Sequence, residues 1–465
     1  MLNALIIAVL AAAAEVPGPV PAAQATVLIT LDEAVKSARK ASPSLAASKE
    51  KIEQSEGWKR KALAAFIPAW TATLNYTRFN KEYNFTLPDV NSLRIITDPP
   101  YIVFDKYYNW TLQPVNAYAV STTLNIPILN MSNIARYDAV KNQARAAAYS
   151  TDSYENEFIY SVASAYYAAL GAKKVLAVAT ESLEMSKSHY NTAKARFGTG
   201  DLGRLAYLKA EIEVEKAEQD LRRSSNGYDS AREALAVLMD RDSSFDVADA
   251  ADVPPPPGFN PEEKSSGDVD RLCDAAVGSR RDLAAAEMSL KATQRNRDEV
   301  MYRFIPTLQG TANFLYTNML GLLGTNWQWY VGVSLNWVLY DGGVRYGDMR
   351  ERNSLVTESM LNLAAQKANI RMQVRQAVID ADSCSAGIGS AKRQVELADE
   401  SYRVARANFE QGLCTAMDVT DANATLSSAR LNMAREELGC QLTRLKLLKV
   451  LGTIKTQFKG DGSGQ

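Results

Sequence analysis

Few residues in this chain are of types that could do covalent or metal chemistry, and their spacing argues against it. The sequence holds one histidine, His189, and four cysteines, Cys273, Cys384, Cys414 and Cys440. A His/Cys metal centre needs several ligands in close clusters, and no CxxC pairing occurs. Nor do the cysteines form a dense disulfide framework, so stability is expected to come from packing. His189 has no partner in sequence and reads as a surface or interhelix residue. There is no GxSxG elbow, phosphate loop, HExxH helix or metal spacing. Neither catalysis nor a cofactor nor a bound metal is expected. Acidic runs such as Glu211 to Glu218 read as solvated helix faces. One local pattern has a definite physical meaning. Thr415-x-x-Asp418, just after Gly412, matches a helix N-cap box with a carboxylate at the third helical position.

Composition bounds the elements that must position such residues. The chain has 465 residues, 46% hydrophobic and 23% charged, with a formal net charge of −1. That is apolar enough for a real core and too balanced for a disordered chain. With 52 Lys+Arg against 53 Asp+Glu there is no basic excess for nucleic acid. Residues 1–25 differ from the rest: an apolar run from Leu5 to Ala14 precedes the small-x-small pattern Ala23-Gln24-Ala25. This reads as a secretory signal peptide, because so short a run cannot span a hydrocarbon layer of about 30 Å. No later stretch is long and apolar enough for a transmembrane helix. A membrane crossing would have to be made by β-strands.

The chain is written twice. Tyr190, Ala193, Ala195, Phe197 and Gly200 return as Tyr402, Ala405, Ala407, Phe409 and Gly412, all shifted by 212 positions. Phe66-Ile67-Pro68 is echoed by Phe304-Ile305-Pro306, and Leu124-Asn125 by Leu335-Asn336. The halves meet at Pro254-Pro255-Pro256-Pro257-Gly258, an extended connector. Each half opens with a helical stretch, Leu31 to Phe66 and Asp268 to Arg303, whose only internal proline is Pro43. Period-2 strands follow. Trp70, Ala72, Leu74 and Tyr76 alternate with Thr71, Thr73, Asn75 and Thr77. Tyr118, Val120, Leu124, Ile126 and Ile128 alternate with Ala119, Ser121, Thr123 and Asn125. In the second half Trp329, Val331, Val333, Leu335, Trp337 and Leu339 oppose Tyr330, Gly332, Ser334 and Asn336. Segment 84–113, about 30 residues longer than its counterpart, reads as a loop outside the cell and a candidate to plug the channel or bind something.

Long helices are expected over 131–197 and 344–409, with apolar positions stepping by three and four as in coiled coils. Glycines break them at 198–200 and 412, and shorter helices return over 204–240 and 416–452. A helix of about 66 residues is about 100 Å long, more than a globular core requires. Two shorter helices end to end match one long one, so each half becomes a long rod beside a two-piece rod. Four amphipathic strands per chain cannot close a barrel, which needs about eight or more, so several copies must share one. Aromatics near these strands, such as Trp70, Tyr76, Trp110, Trp327 and Trp337, suit interface girdles.

From about 28 to 452 the chain resembles the TolC-like outer-membrane efflux protein family. The resemblance rests on the opening Leu31-Asp32-Glu33-Ala34-Val35, the Phe-Ile-Pro exits, the strand–Asp341-Gly342-Gly343–helix transition and the duplicated Tyr-x-x-Ala-x-x-x-Phe-x-x-Gly. It implies a mainly α protein with a transmembrane β-barrel portion. In such a homotrimer a twelve-stranded barrel sits in the outer membrane and continues as a twelve-helix coiled-coil tunnel through the periplasm. The implied partners are outer-membrane lipid, a periplasmic adaptor (membrane fusion protein) and an inner-membrane pump. The implied gate is a ring of inward acids, matched here by Asp418 and Asp421, and the implied adaptor contacts at the tips are Thr199, Gly200, Leu202, Gly412 and Leu413. Some members latch the mouth with an Arg in the second turn and a Tyr before it; Cys414 and Phe409 stand there instead, while the first turn has Arg204.

The resulting layout runs from signal peptide (1–25) through N-terminal helix (26–68), first strand pair (69–130) and first tunnel hairpin (131–240) to an equatorial connector (241–266). The second half gives helix (267–305), strand pair (306–341), tunnel hairpin (342–452) and tail (453–465). The expected function is passive exit from a tripartite efflux or type I secretion machine, without enzymatic activity. The alternative is a structural periplasmic coiled-coil or surface interaction protein.

Overall fold

The computed structural model describes residues 27–249, 253, 266–319 and 325–458. The signal peptide and the Pro254–Gly258 connector lie outside the described residues, as does the tail beyond 458. Strand β1 (Val27–Ile29) leads into helices α1 (Leu31–Ala41) and α2 (Pro43–Ala64), then β2 (Ala69–Arg78). Four shorter strands follow, β3 (Tyr83–Pro88), β4 (Leu93–Thr97), β5 (Pro100–Phe104) and β6 (Tyr107–Gln113), before β7 (Asn116–Leu129). Helices α3 (Met131–Thr199) and α4 (Arg204–Met239) and strand β8 (Phe245–Val247) complete the first half. The second half comprises α5 (Ser266–Ser279), α6 (Arg281–Tyr302), β9 (Thr307–Thr317), β10 (Trp327–Asn336), α7 (Val344–Glu410), α8 (Ala416–Val450) and the short α9 (Ile454–Gln457). No described helix is long and apolar enough to cross a membrane.

Two expected helices are each split in two. Thr30 opens α1 with a reciprocal box: its hydroxyl accepts from the Glu33 N–H at 3.4 Å, and the Glu33 carboxylate accepts from the Thr30 N–H at 3.0 Å. The helix stops at Ser42, which is extended, because the ring of Pro43 disfavours helical backbone in the residue before it. The break between α5 and α6 has no proline; there Ser279 donates to the Leu451 carbonyl at 2.5 Å.

The described chain forms two compact units. In the unit built from Ala47–Ser153 and Arg281–Ala368, four antiparallel strands run in the order β10-β9-β7-β2. Opposed residues share a face, so the register sorts most side chains, although Thr122 lies among the apolar rows and Leu315 and Tyr330 on the opposite face. Leu74, Val120, Tyr316 and Trp327 form one apolar row, and Trp70, Leu124, Ala312 and Val331 another. The other face carries Thr71, Thr123 and Asn313, with Asn313 donating to the Thr123 hydroxyl at 2.7 Å. The alternation expected from sequence is present, although Trp337 and Leu339 fall beyond the end of β10. Both Phe-Ile-Pro exits are anchored alike, Phe66 edge-on to Tyr137 at 6.2 Å and Phe304 edge-on to Tyr346 at 5.5 Å. Segment 84–113 is not a loop. It folds into two successive strand pairs, β3 with β6 and β4 with β5.

The other unit gathers residues up to Ala46, Tyr154–Arg280 and the chain from Asn369. Its core joins Val35, Ile159, Val162, Tyr166, Leu235, Met239, Val247, Leu445 and Leu448. Parallel β1 and β8 lie on this core. Tyr166 pins them by donating to the carbonyls of Ile29 at 3.0 Å and Ala248 at 2.7 Å, and burial pushes its phenol well above the ordinary range.

Packing is not the sole source of stability. Cys384 on α7 and Cys440 on α8 form a disulfide, Sγ–Sγ 2.10 Å, of the kind an oxidising compartment such as the periplasm permits. It closes a loop of 56 residues, for which the chain-entropy cost removed from the unfolded state is about 4 kcal/mol. Denatured without reductant, the protein should titrate two thiols, those of Cys273 and Cys414, and four after reduction. Four thiols before reduction would contradict the cross-link.

Candidate functional site

Both long helices end in the same way. Gly200 and Gly412 take the left-handed conformation, φ +85° and +74°, which a side chain would strain. In each turn the next N–H bonds back five residues, Asp201 to the Arg196 carbonyl at 3.0 Å and Leu413 to the Asn408 carbonyl at 2.8 Å. This is the Schellman arrangement, and it satisfies carbonyls that a helix end leaves open. The duplicated turns are therefore equivalent in backbone.

Their side chains have diverged. Phe409, Ala416 and Val419 form a small buried cluster with Leu202, Ala206, Tyr402, Ala405 and Cys414 packed against it. Among the expected contact residues, Leu202 thus turns inward, Thr199 is exposed with its hydroxyl donating to Asp201 at 2.9 Å, and Leu413 is 73% exposed. The Cys414 thiol donates to the Ala405 carbonyl at 3.2 Å. Phe409 and Cys414 form no charged network, and Arg204 stands exposed. The cation comes instead from α3. Arg196 donates one N–H to the Phe409 carbonyl and another to the Glu410 carbonyl, both at 2.8 Å. Its guanidinium lies 4.5 Å from the centre of the Phe409 ring. It therefore caps the negative end of α7 and stacks on an aromatic face at once. His189 is buried beside Phe409, ring centres 5.7 Å apart; burial lowers its pKa, so it packs as a neutral interhelix residue.

The capping role of Asp418 is directly visible. Its carboxylate accepts from the Thr415 N–H at 2.8 Å and the Thr415 hydroxyl at 2.6 Å, while its own N–H donates to that hydroxyl at 3.4 Å. These bonds, the side-chain one first, hold its carboxyl below the ordinary range. Asp421, one turn further, is exposed.

A third acid belongs to this end of the helices. Glu213, on α4, sits inside the charge run read as a solvated face, but it is half-buried. One of its oxygens is sealed from solvent without a partner. Burial above all raises its pKa, and the Asp421 charge adds to this, against the opposing Thr420 hydrogen bond and Lys216. Spacing could have found it. Ala210 and Ala217 are buried, and Glu213 falls between them at three- and four-residue steps, on the face of α4 that packs. Among the described residues no group of three or more His, Cys, Asp or Glu could hold a metal.

The profile of a family described as outer membrane efflux protein matches residues 34–240 and 272–453. The chain belongs to that family. Its outer-membrane location follows from this membership. Nodulation protein T of Rhizobium leguminosarum bv. trifolii is 22% identical over 293 residues, covering 62% of this chain and 62% of that protein, less than two thirds of its length. Outer membrane protein TolC of Escherichia coli (strain K12) is 22% identical over 355 residues, covering 73% of this chain and 70% of that one. The crystal structure of the Campylobacter jejuni CmeC outer membrane channel superposes with a TM-score of 0.73 at 15% identity, over 92% of this chain and 89% of that one. The fold of this outer-membrane efflux protein is thus shared with channels of low sequence identity.

Glu213 gives the tip a pH dependence of definite sign. A carboxyl whose folded pKa is raised contributes stability at low pH, and loses it as pH rises through the raised value. Glu213→Gln should therefore melt above wild type at neutral pH, the difference closing in acid below the ordinary glutamate range. Equal melting temperatures across that range would contradict the buried acid.

Proposed function

We propose that the chain is the passive outer-membrane duct of a tripartite export machine. Three copies, each giving four strands, would supply a twelve-stranded barrel, and their long helices a twelve-helix tunnel through the periplasm. The observation that carries this reading is the sheet order β10-β9-β7-β2, which leaves β2 and β10 as open edges on a sheet with one apolar and one polar face. Hydrocarbon does not tolerate an unpaired edge, so an embedded sheet of this kind must close on other copies. The apolar rows would then meet lipid, and the Thr and Asn rows a water-filled lumen. The strand-free coiled-coil alternative has no use for such a sheet.

The glycine turns form the periplasmic tip, where an adaptor linked to an inner-membrane pump would dock. The exposed Thr199, Gly200, Gly412 and Leu413 are the surface it would meet, with Leu202 supporting them from within. Around the three-fold axis Asp418 and Asp421 would place six carboxylates, favouring cations in the closed mouth. Energy would come from the pump. Arg196 supports the closed tip by tying the first hairpin to the end of α7, in place of the turn arginine that other members use.

Planar-bilayer recording of the purified protein tests this. Asp421 is the cleaner substitution, because Asp418 also caps its helix. Wild type should conduct with cation preference, and Asp421→Asn should weaken that preference without lowering thermal stability, since it also removes a charge that opposes Glu213. Unchanged selectivity would contradict the gate, and no conductance from wild type would contradict the duct.

A further inference from the structure

Between β2 and β7 the chain leaves the sheet as a ribbon of two tiers, neither of which joins the four-stranded sheet. The ribbon continues the β2–β7 hairpin directly, with the Phe79 N–H donating to the Val115 carbonyl at 2.7 Å. In the first tier Phe85 stands opposite Trp110 and Leu87 opposite Tyr108 on one face. Thr86 and Asn109 share the other face and are hydrogen-bonded at 2.8 Å. The second tier has one largely apolar face, where Leu93 opposes Phe104 and Ile95 opposes Ile102; on the other, Ile96 opposes Tyr101 and Arg94 opposes Val103. Ile95 is 65% exposed and Ile102 60%. A two-stranded ribbon has no layer of its own behind it and is marginal in water, so an apolar one needs a cover.

Charge and continuity say what covers it. Arg94 and Lys106 stand against Asp89, Asp98 and Asp105, a net charge of −1 over 83–113, and Arg94 already lies 3.9 Å from Asp105. An anionic lipid headgroup would require a basic excess that is absent, whereas near-neutral identical ribbons can approach one another. β2, an open edge of the sheet, leads into β3 across the short connector 79–82. Any copy that fills that edge therefore stands beside the ribbon. We propose that the 83–113 ribbon is a docking surface for the same ribbon of neighbouring copies of this chain, the apolar second tiers packing together beyond the barrel rim. This rests on the shared-barrel reading.

Ile95→Cys, Ile102→Cys and Tyr101→Cys, each made alone in a Cys414→Ser background, test it by oxidative cross-linking of the detergent-solubilised assembly; Cys273 is buried. At least one should convert half or more of the chains to a covalent pair that reductant separates. No cross-link at any of the three positions, in an assembly whose mass is that of several chains, overturns the ribbon contact and leaves the shared barrel standing. A single chain per micelle overturns both.

Discussion

The unpaired main-chain groups along β2 and β10 govern the rest of the structure. Each strand has ten residues, and within one chain each has a neighbour on one side only. In water such edges would invite aggregation; in hydrocarbon each unmet N–H or C=O costs several kcal/mol, with no solvent to relieve it. Side chains add to the demand: Trp70 is 78% and Trp329 64% exposed on the apolar face. A single copy therefore satisfies neither its backbone nor its apolar rows, and sharing strands among copies would resolve both.

Duplication explains how one chain supplies two equivalent strand pairs and two equivalent helix turns, and divergence explains the tip. The Schellman bonds are repeated in both halves, yet Phe197 stacks on Tyr207, ring centres 5.2 Å apart, while Phe409 lies under Arg196. The first hairpin thus contributes the cation and the second the carbonyls and ring that receive it. A contact of this kind ties the two hairpins of one chain to each other, whereas two self-contained turns would not. The disulfide between α7 and α8 adds a covalent tie within the second hairpin.

Features that depend on period or on a local signal were legible in the sequence. The alternation of Trp70, Ala72, Leu74 and Tyr76 gave the sheet face, the Gly turns gave the helix ends, and Thr415-x-x-Asp418 gave a cap that the structure contains. Features that depend on what meets across space were not. Cys384 and Cys440 become neighbours only because α8 returns beside α7. The cationic role of Arg196 depends on the approach of a second helix end. Segment 84–113, with Pro88, Pro99 and Pro100, carries the composition of a loop, and its strands pair with partners up to thirty residues away, which no local pattern encodes. Glu213 was hidden differently: its neighbours' charges masked a position that the three-and-four spacing of Ala210 and Ala217 marks as inward.

The most direct measurement is the number of chains in the particle released from the outer membrane by mild detergent, counted by native mass spectrometry. Open edges that must be filled by other copies predict three chains per particle and no stable particle of one. A homogeneous, folded particle containing one chain would contradict the account at its root.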